Sequence, residues 1–168
     1  SALSTANRVP EQAAKPFSRN RDGFVMAEGA AALVLEDVDC AEARGADIIG
    51  YVLGCGEAAD NFHRTRINPT GDSIVQSMRA AIADAGLAPE DIDYVNAHGT
   101  STPENDKMEA LGVRKLFGRH ADRLAISSNK SMIGHTLTAA GAVEASFTLL
   151  TLRDGFLPPT INHDVPDP

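Results

Sequence analysis

Thr136-Leu137-Thr138-Ala139-Ala140-Gly141-Ala142-Val143-Glu144-Ala145-Ser146-Phe147-Thr148-Leu149-Leu150-Thr151-Leu152-Arg153 is apolar on nearly every side. At helical spacing Leu137, Ala140, Val143, Phe147 and Leu150 share one face, while Ala139, Ala142, Ala145 and Leu149 occupy others. A helix with no polar face has to be covered on both sides. The expected architecture is therefore a middle layer of helices between two sheets. Within this segment Glu144 stands out, because an unpaired carboxylate is expensive to bury.

Immediately upstream, Leu124-Ala125-Ile126-Ser127-Ser128 reads as a strand, followed by a turn that carries Lys130 and His135. Lys130 has two readings, an exposed turn lysine or the partner of Glu144. An ion pair between them would also solve the carboxylate's problem. About thirty residues earlier, Tyr94-Val95-Asn96-Ala97-His98-Gly99-Thr100-Ser101-Thr102-Pro103 repeats the pattern, a short apolar run that ends in an imidazole and small hydroxylated residues. A helix over residues 105–117 separates the two strands, and such alternation predicts an α/β fold.

Further toward the N-terminus, residues 22–36 read as a glycine-bearing turn feeding a buried strand, and residues 38–44 as a short helix stopped by Gly45. Residues 48–53 form the next expected strand, broken by Gly54-Cys55-Gly56, and a polar loop follows to residue 69. Ile74, Val75, Met78, Ala81, Ile82 and Ala85 then mark an amphipathic helix, with Asp72 as its expected cap and Gly86 as its stop.

With 168 residues, 43% hydrophobic and 23% charged, the chain has the composition of one globular domain. Its net charge of −8 argues against a polyanionic partner such as nucleic acid. Cys40 and Cys55 fit neither a metal spacing nor a disulfide framework, which points to a reducing compartment, and with no signal pattern or long apolar run the expected location is cytoplasmic. The start without Met and the proline-rich end suggest a piece of a longer protein.

A lone histidine at a strand end is more often structural than catalytic. His98 and His135 depart from that expectation through their settings. Loops after strands are where α/β folds place ligands, and His135 precedes an expected helix N-terminus, which favours anionic species. Two imidazoles that each donate a hydrogen bond suit one carbonyl oxygen as negative charge develops on it. His63, His120 and His163 lie in polar surroundings and are read as structural. The histidine spacings fit no compact zinc motif, and the glycines between 23 and 29 lack the spacing of a phosphate-binding loop. Cys55 is read as a close-packing residue rather than a nucleophile.

The segments Pro16–Asp37 (PFSRNRDGFVMAEGAAALVLED), Asn96–Ala110 (NAHGTSTPENDKMEA) and Ser127–Ala145 (SSNKSMIGHTLTAAGAVEA) resemble the signature blocks of the β-ketoacyl-acyl carrier protein synthases, especially the synthase II type. The resemblance implies a thiolase-like fold, layered α-β-α-β-α, of which this chain represents roughly one half. Residues 1–45 would end the N-terminal half, and residues 46–168 would form the C-terminal half, incomplete at its C-terminus. It implies decarboxylative condensation of an acyl thioester with malonyl-acyl carrier protein in fatty acid elongation, without a cofactor or metal, by a homodimer. His98 and His135 match the histidines of a cysteine-histidine-histidine site, Lys130 and Glu144 a supporting pair, and Thr100 and Thr102 positions that contact the pantetheine arm. The family's Ala-Cys-Ser elbow is absent here, so the 168 residues alone are expected to be inactive. Alternatives are a non-catalytic partner subunit resembling a chain-length factor, a polyketide ketosynthase, or a thiolase proper; the histidine pair disfavours the last.

Overall fold

The computed structural model describes residues 2–64 and 66–167. Its centre is a β-α-β unit. Strand β1 (Tyr94–Asn96) pairs in parallel with β2 (Ala125–Ser127), with Val95 opposite Ile126. The crossover between them is helix α3 (Pro103–Phe117). The further helices are α1 (Val38–Ala43), α2 (Asp72–Asp84), which packs on α3, the single turn α4 (Lys130–Ile133) and α5 (Ala140–Asp154).

Val113, Phe117 and Leu124 form the buried core, with Met78, Ile82, Ile92 and Val95 packed against it. Each such side chain contributes about 1.5–3 kcal/mol through burial. Helix α2 lies close on α3 because Gly112 has no side chain; a Cβ there would stand 2.9 Å from Ile74 Cγ2. Gly54 and Gly56 do the same for the preceding segment. Their missing Cβ atoms would fall 2.4 Å from the Ala81 carbonyl oxygen and 2.1 Å from that of Ser77. The Gly-Cys-Gly sequence thus serves close packing on α2, and Cys55 itself is exposed.

Several expectations are corrected. Helix α3 begins two residues early, at Pro103, because Thr102 caps it by accepting from the Asn105 amide and proline suits the first helical position. For α2 the cap is Gly71, at φ 67°, whose conformation glycine adopts freely. Asp72 is instead the first helical residue and pairs with Lys115 at 3.2 Å. Helix α5 starts at Ala140 rather than Thr136, since Leu137 holds φ 53° and a separate 3-10 turn occupies Leu137–Ala139.

Residues 22–36 and 48–53 are not buried strands. Among the described residues they make only isolated bridges, Phe24 with Leu3 and Met26 with His135. Val34 is 94% exposed and Val52 78%. Helix α5 buries only Ala140 fully and leaves Leu150 and Leu152 exposed. The apolar patterns are those of covered elements, but the chain itself supplies only part of the cover.

Candidate active site

Four segments converge on one place. At the end of β1 the chain turns through His98 and Gly99, whose amides both donate to the carboxylate of Glu109 at 2.7 and 2.8 Å. Glu109 sits on α3 one turn below, and burial raises its pKa. The neighbouring Asp106, 1% exposed, accepts from the Phe17 amide at 2.9 Å and lies 3.5 Å from the Arg21 guanidinium. Arg21 also donates to the carbonyls of Ser18, Thr102 and Pro103 and to Asp167. The N-terminal segment is thereby fastened to the start of α3.

After β2, the turn at α4 places Lys130 in the interior, its side chain 3% exposed. Its ammonium meets the Glu144 carboxylate on α5, so the two residues that the sequence proposed as partners are in direct contact. Asn96 fixes that geometry. Its side-chain amide donates to the Glu144 carbonyl at 2.9 Å and to the Thr148 hydroxyl at 3.0 Å, and its oxygen accepts from Asn129.

His135 is held by a segment whose role the sequence reading missed. Its amide donates to Val25 O at 2.7 Å, and its carbonyl accepts from the Ala27 amide at 3.1 Å. Gly134, at φ 72°, permits this approach, because a Cβ there would lie 2.8 Å from that of Ala27. Phe24 stacks edge-on against the His135 ring at 5.2 Å. The expected helix N-terminus is not directly at His135; instead the Leu137 amide donates to His135 Nδ1 at 3.2 Å. The adjoining Thr136 hydroxyl is buried without a hydrogen-bond partner among the described residues. In the complete protein Thr136→Val should therefore raise stability by about 1 kcal/mol, read as a higher urea midpoint; a comparable loss would reveal a partner for the hydroxyl.

The His98 and His135 rings face each other edge to face with centroids 5.2 Å apart. Lys130 Nζ stands 3.3 Å from His98 Nδ1, and an ammonium can only donate. Each ring thus has Nδ1 occupied as an acceptor, by Lys130 or by Leu137, and the neutral imidazole carries its proton on Nε2. Both histidines are held neutral. Although His98 keeps part of its surface open, loss of hydration in its crowded surroundings, then the Lys130 charge and then His135, push its pKa down to about 4. His135 is lowered by desolvation first and Lys130 second. Since the folded His98 value lies below the ordinary 6.5, the unfolded chain takes up a proton first as pH falls, so this group's effect weakens folding between about 6.5 and 4 and vanishes above.

Thr100 and Thr102 lie on the same turn with hydroxyls 2.9 Å apart. Two hydroxyls carry two hydrogens and one is spent between them, so one remains for a third group. His120 is structural, as its sequence setting suggested. It has a partner, the Ile92 carbonyl 2.7 Å from Nε2, and packs near Phe117.

An α/β unit that brings two histidine rings edge to face, each with its Nδ1 engaged, beside a buried lysine-glutamate pair forms the candidate active site. Residues 49–164 match the family of the β-ketoacyl synthase, C-terminal domain, and the chain belongs to the β-ketoacyl synthase family. It is 49% identical over 166 residues to the 3-oxoacyl-[acyl-carrier-protein] synthase 2 of Coxiella burnetii, covering 99% of this chain and 40% of that relative. The chain thus spans about two fifths of the relative's length. Among solved structures it is similar to a β-ketoacyl synthase from Burkholderia phymatum STM815, with TM-score 0.94 and 43% identity over 99% of this chain and 40% of that one. It is also similar to a type II PKS ketosynthase in complex with its acyl-carrier protein and bound to the hexaketide, with TM-score 0.95 and 37% identity over 99% and 41%. The fold is accordingly the thiolase-type α/β fold of ketosynthases.

Proposed function

We propose that the chain is part of a cytoplasmic, homodimeric condensing enzyme that joins an acyl thioester to malonyl-acyl carrier protein in fatty acid elongation. One observation carries this reading: both Nδ1 atoms of the histidine pair are engaged, which leaves two Nε2–H donors for a single oxygen. When the bond between the malonyl Cα and its carboxylate breaks, carbon dioxide leaves and the electron pair forms an enolate. Its oxygen takes hydrogen bonds from His98 and His135. The enolate carbon then attacks the acyl thioester carbonyl on a cysteine outside this chain, and the thiolate leaves. Because that cysteine is needed, the 168 residues alone are inactive in this reading. Lys130 keeps His98 in the donating tautomer, Glu144 neutralises Lys130, and the spare hydrogen of the Thr100–Thr102 pair serves an amide carbonyl of the pantetheine arm.

The carrier protein as partner is supported by the polyketide neighbour, whose structure contains one. The family match beginning at residue 49 supports a division between N- and C-terminal halves near residue 45. A polyketide role is the second reading, and the higher identity to a 3-oxoacyl synthase, 49% against 37%, favours fatty acid elongation. The complete protein supplied with acyl- and malonyl-carrier protein should release carbon dioxide and form the 3-oxoacyl product. The acid limb of decarboxylation should fall near pH 4, because a proton on His98 Nδ1 would confront the Lys130 ammonium. Thioester hydrolysis without carbon dioxide would sink the reading, and an acid midpoint near pH 6.5 would sink the role given to His98.

A further inference from the structure

We infer that Ser128 is a positioning residue that couples the turn bearing His98 to the turn bearing Lys130. Ser128 has no exposed surface. Its hydroxyl donates to the Gly99 carbonyl at 2.7 Å, and its amide donates to the Thr160 hydroxyl at 2.9 Å. Gly99 sits at φ 35°, so close that a Cβ there would stand 2.5 Å from that of Ser128. The peptide links around Gly99 are therefore gripped twice, through amides by Glu109 and through the carbonyl by Ser128.

Ser128 precedes Lys130 by two residues, and Lys130 Nζ is the group that touches His98 Nδ1. The Ser128–Gly99 bond is thus a short brace across the two turns, and it sets how far the ammonium stands from the imidazole. A second tie backs it. Ser131 donates its hydroxyl to the Ser128 carbonyl and accepts from the Ile161 amide. Residues 160 and 161 consequently hold the Lys130 turn from outside while Ser128 holds the His98 turn from within. The charged and titratable groups around His98 are Lys130, His135, Glu144 behind Lys130, and Glu109 beneath the backbone.

This inference rests on the proposed condensing function only for its rate readout. In the complete enzyme, Ser128→Ala should lower malonyl decarboxylation about 10²-fold, the scale of an ångström-sized misplacement at a reacting centre. The His98 ring, followed by nitrogen-15 NMR across a pH titration, should shift its midpoint upward from about 4 as Lys130 withdraws, while desolvation, the larger cause, still holds it below 6.5. Thr160→Val should reproduce both changes in weaker form, and Thr160→Ser should restore them, which guards against a Ser128 variant that merely fails to fold. An unchanged His98 midpoint in a folded Ser128→Ala protein overturns the inference, as does a rate loss that Thr160→Ser shares equally with Thr160→Val. If the wild-type enzyme releases no carbon dioxide, the functional reading fails, while the NMR midpoints still decide whether Ser128 couples the turns.

Discussion

Replacing His135 by alanine in the complete enzyme should reduce malonyl decarboxylation by about 10²–10³-fold, the usual cost of removing one oxyanion donor. The geometry gives the reason. With Nδ1 accepting from the Leu137 amide, the only proton of the neutral ring is on Nε2, and no other described side chain stands edge to face with His98 to replace it. Transfer of the acyl group to the enzyme's cysteine should suffer much less, since that step develops no charge between the two rings. Carbon dioxide release and acyl-enzyme formation, measured separately on the purified variant, test this. Decarboxylation at the wild-type rate would show that His135 does not hold the enolate.

The second large effect concerns stability. Lys130 is 3% exposed and Glu144 14%, so Glu144→Ala leaves a buried ammonium without its counter-charge. Breaking such a pair by removing one partner costs roughly 3–5 kcal/mol. The doubly neutral Lys130→Met, Glu144→Gln protein should be more stable than the worse single variant, because no buried charge is then left without its counter-charge. Chemical denaturation of the four proteins provides the cycle, and strictly additive losses would count against the coupling. In the Lys130→Met background His98 also loses the donor at Nδ1, so its tautomer becomes free and decarboxylation should fall even where folding is recovered.

Much of the site is legible in the sequence because its parts break local rules. An acidic residue inside an all-apolar helix asks for a cation, and Lys130, in a turn between an apolar strand and that helix, answers it in the structure. The β-α-β unit is equally legible, since two short apolar runs flank a helical segment. Glu109 and Asp106 escaped notice because they lie on α3 among Glu104, Asn105 and Lys107, where a charged face ordinarily means solvent. Only the backbone amides brought over them by the turns at 98–99 and at 17 show otherwise. The clasp of His135 by Val25 and Ala27 is a long-range pairing that no local pattern announces. The covered strands expected at 22–36 and 48–53 failed for a different reason: hydrophobic patterning states that an element must be covered but not by which chain.

Arg21 and Asp167 meet across 146 intervening steps of sequence, and Ser18 bonds the Val165 carbonyl across 147. Contacts of such span carry a large loop-closure cost and form slowly. These ties should therefore close after the β-α-β unit, whose contacts span far fewer residues.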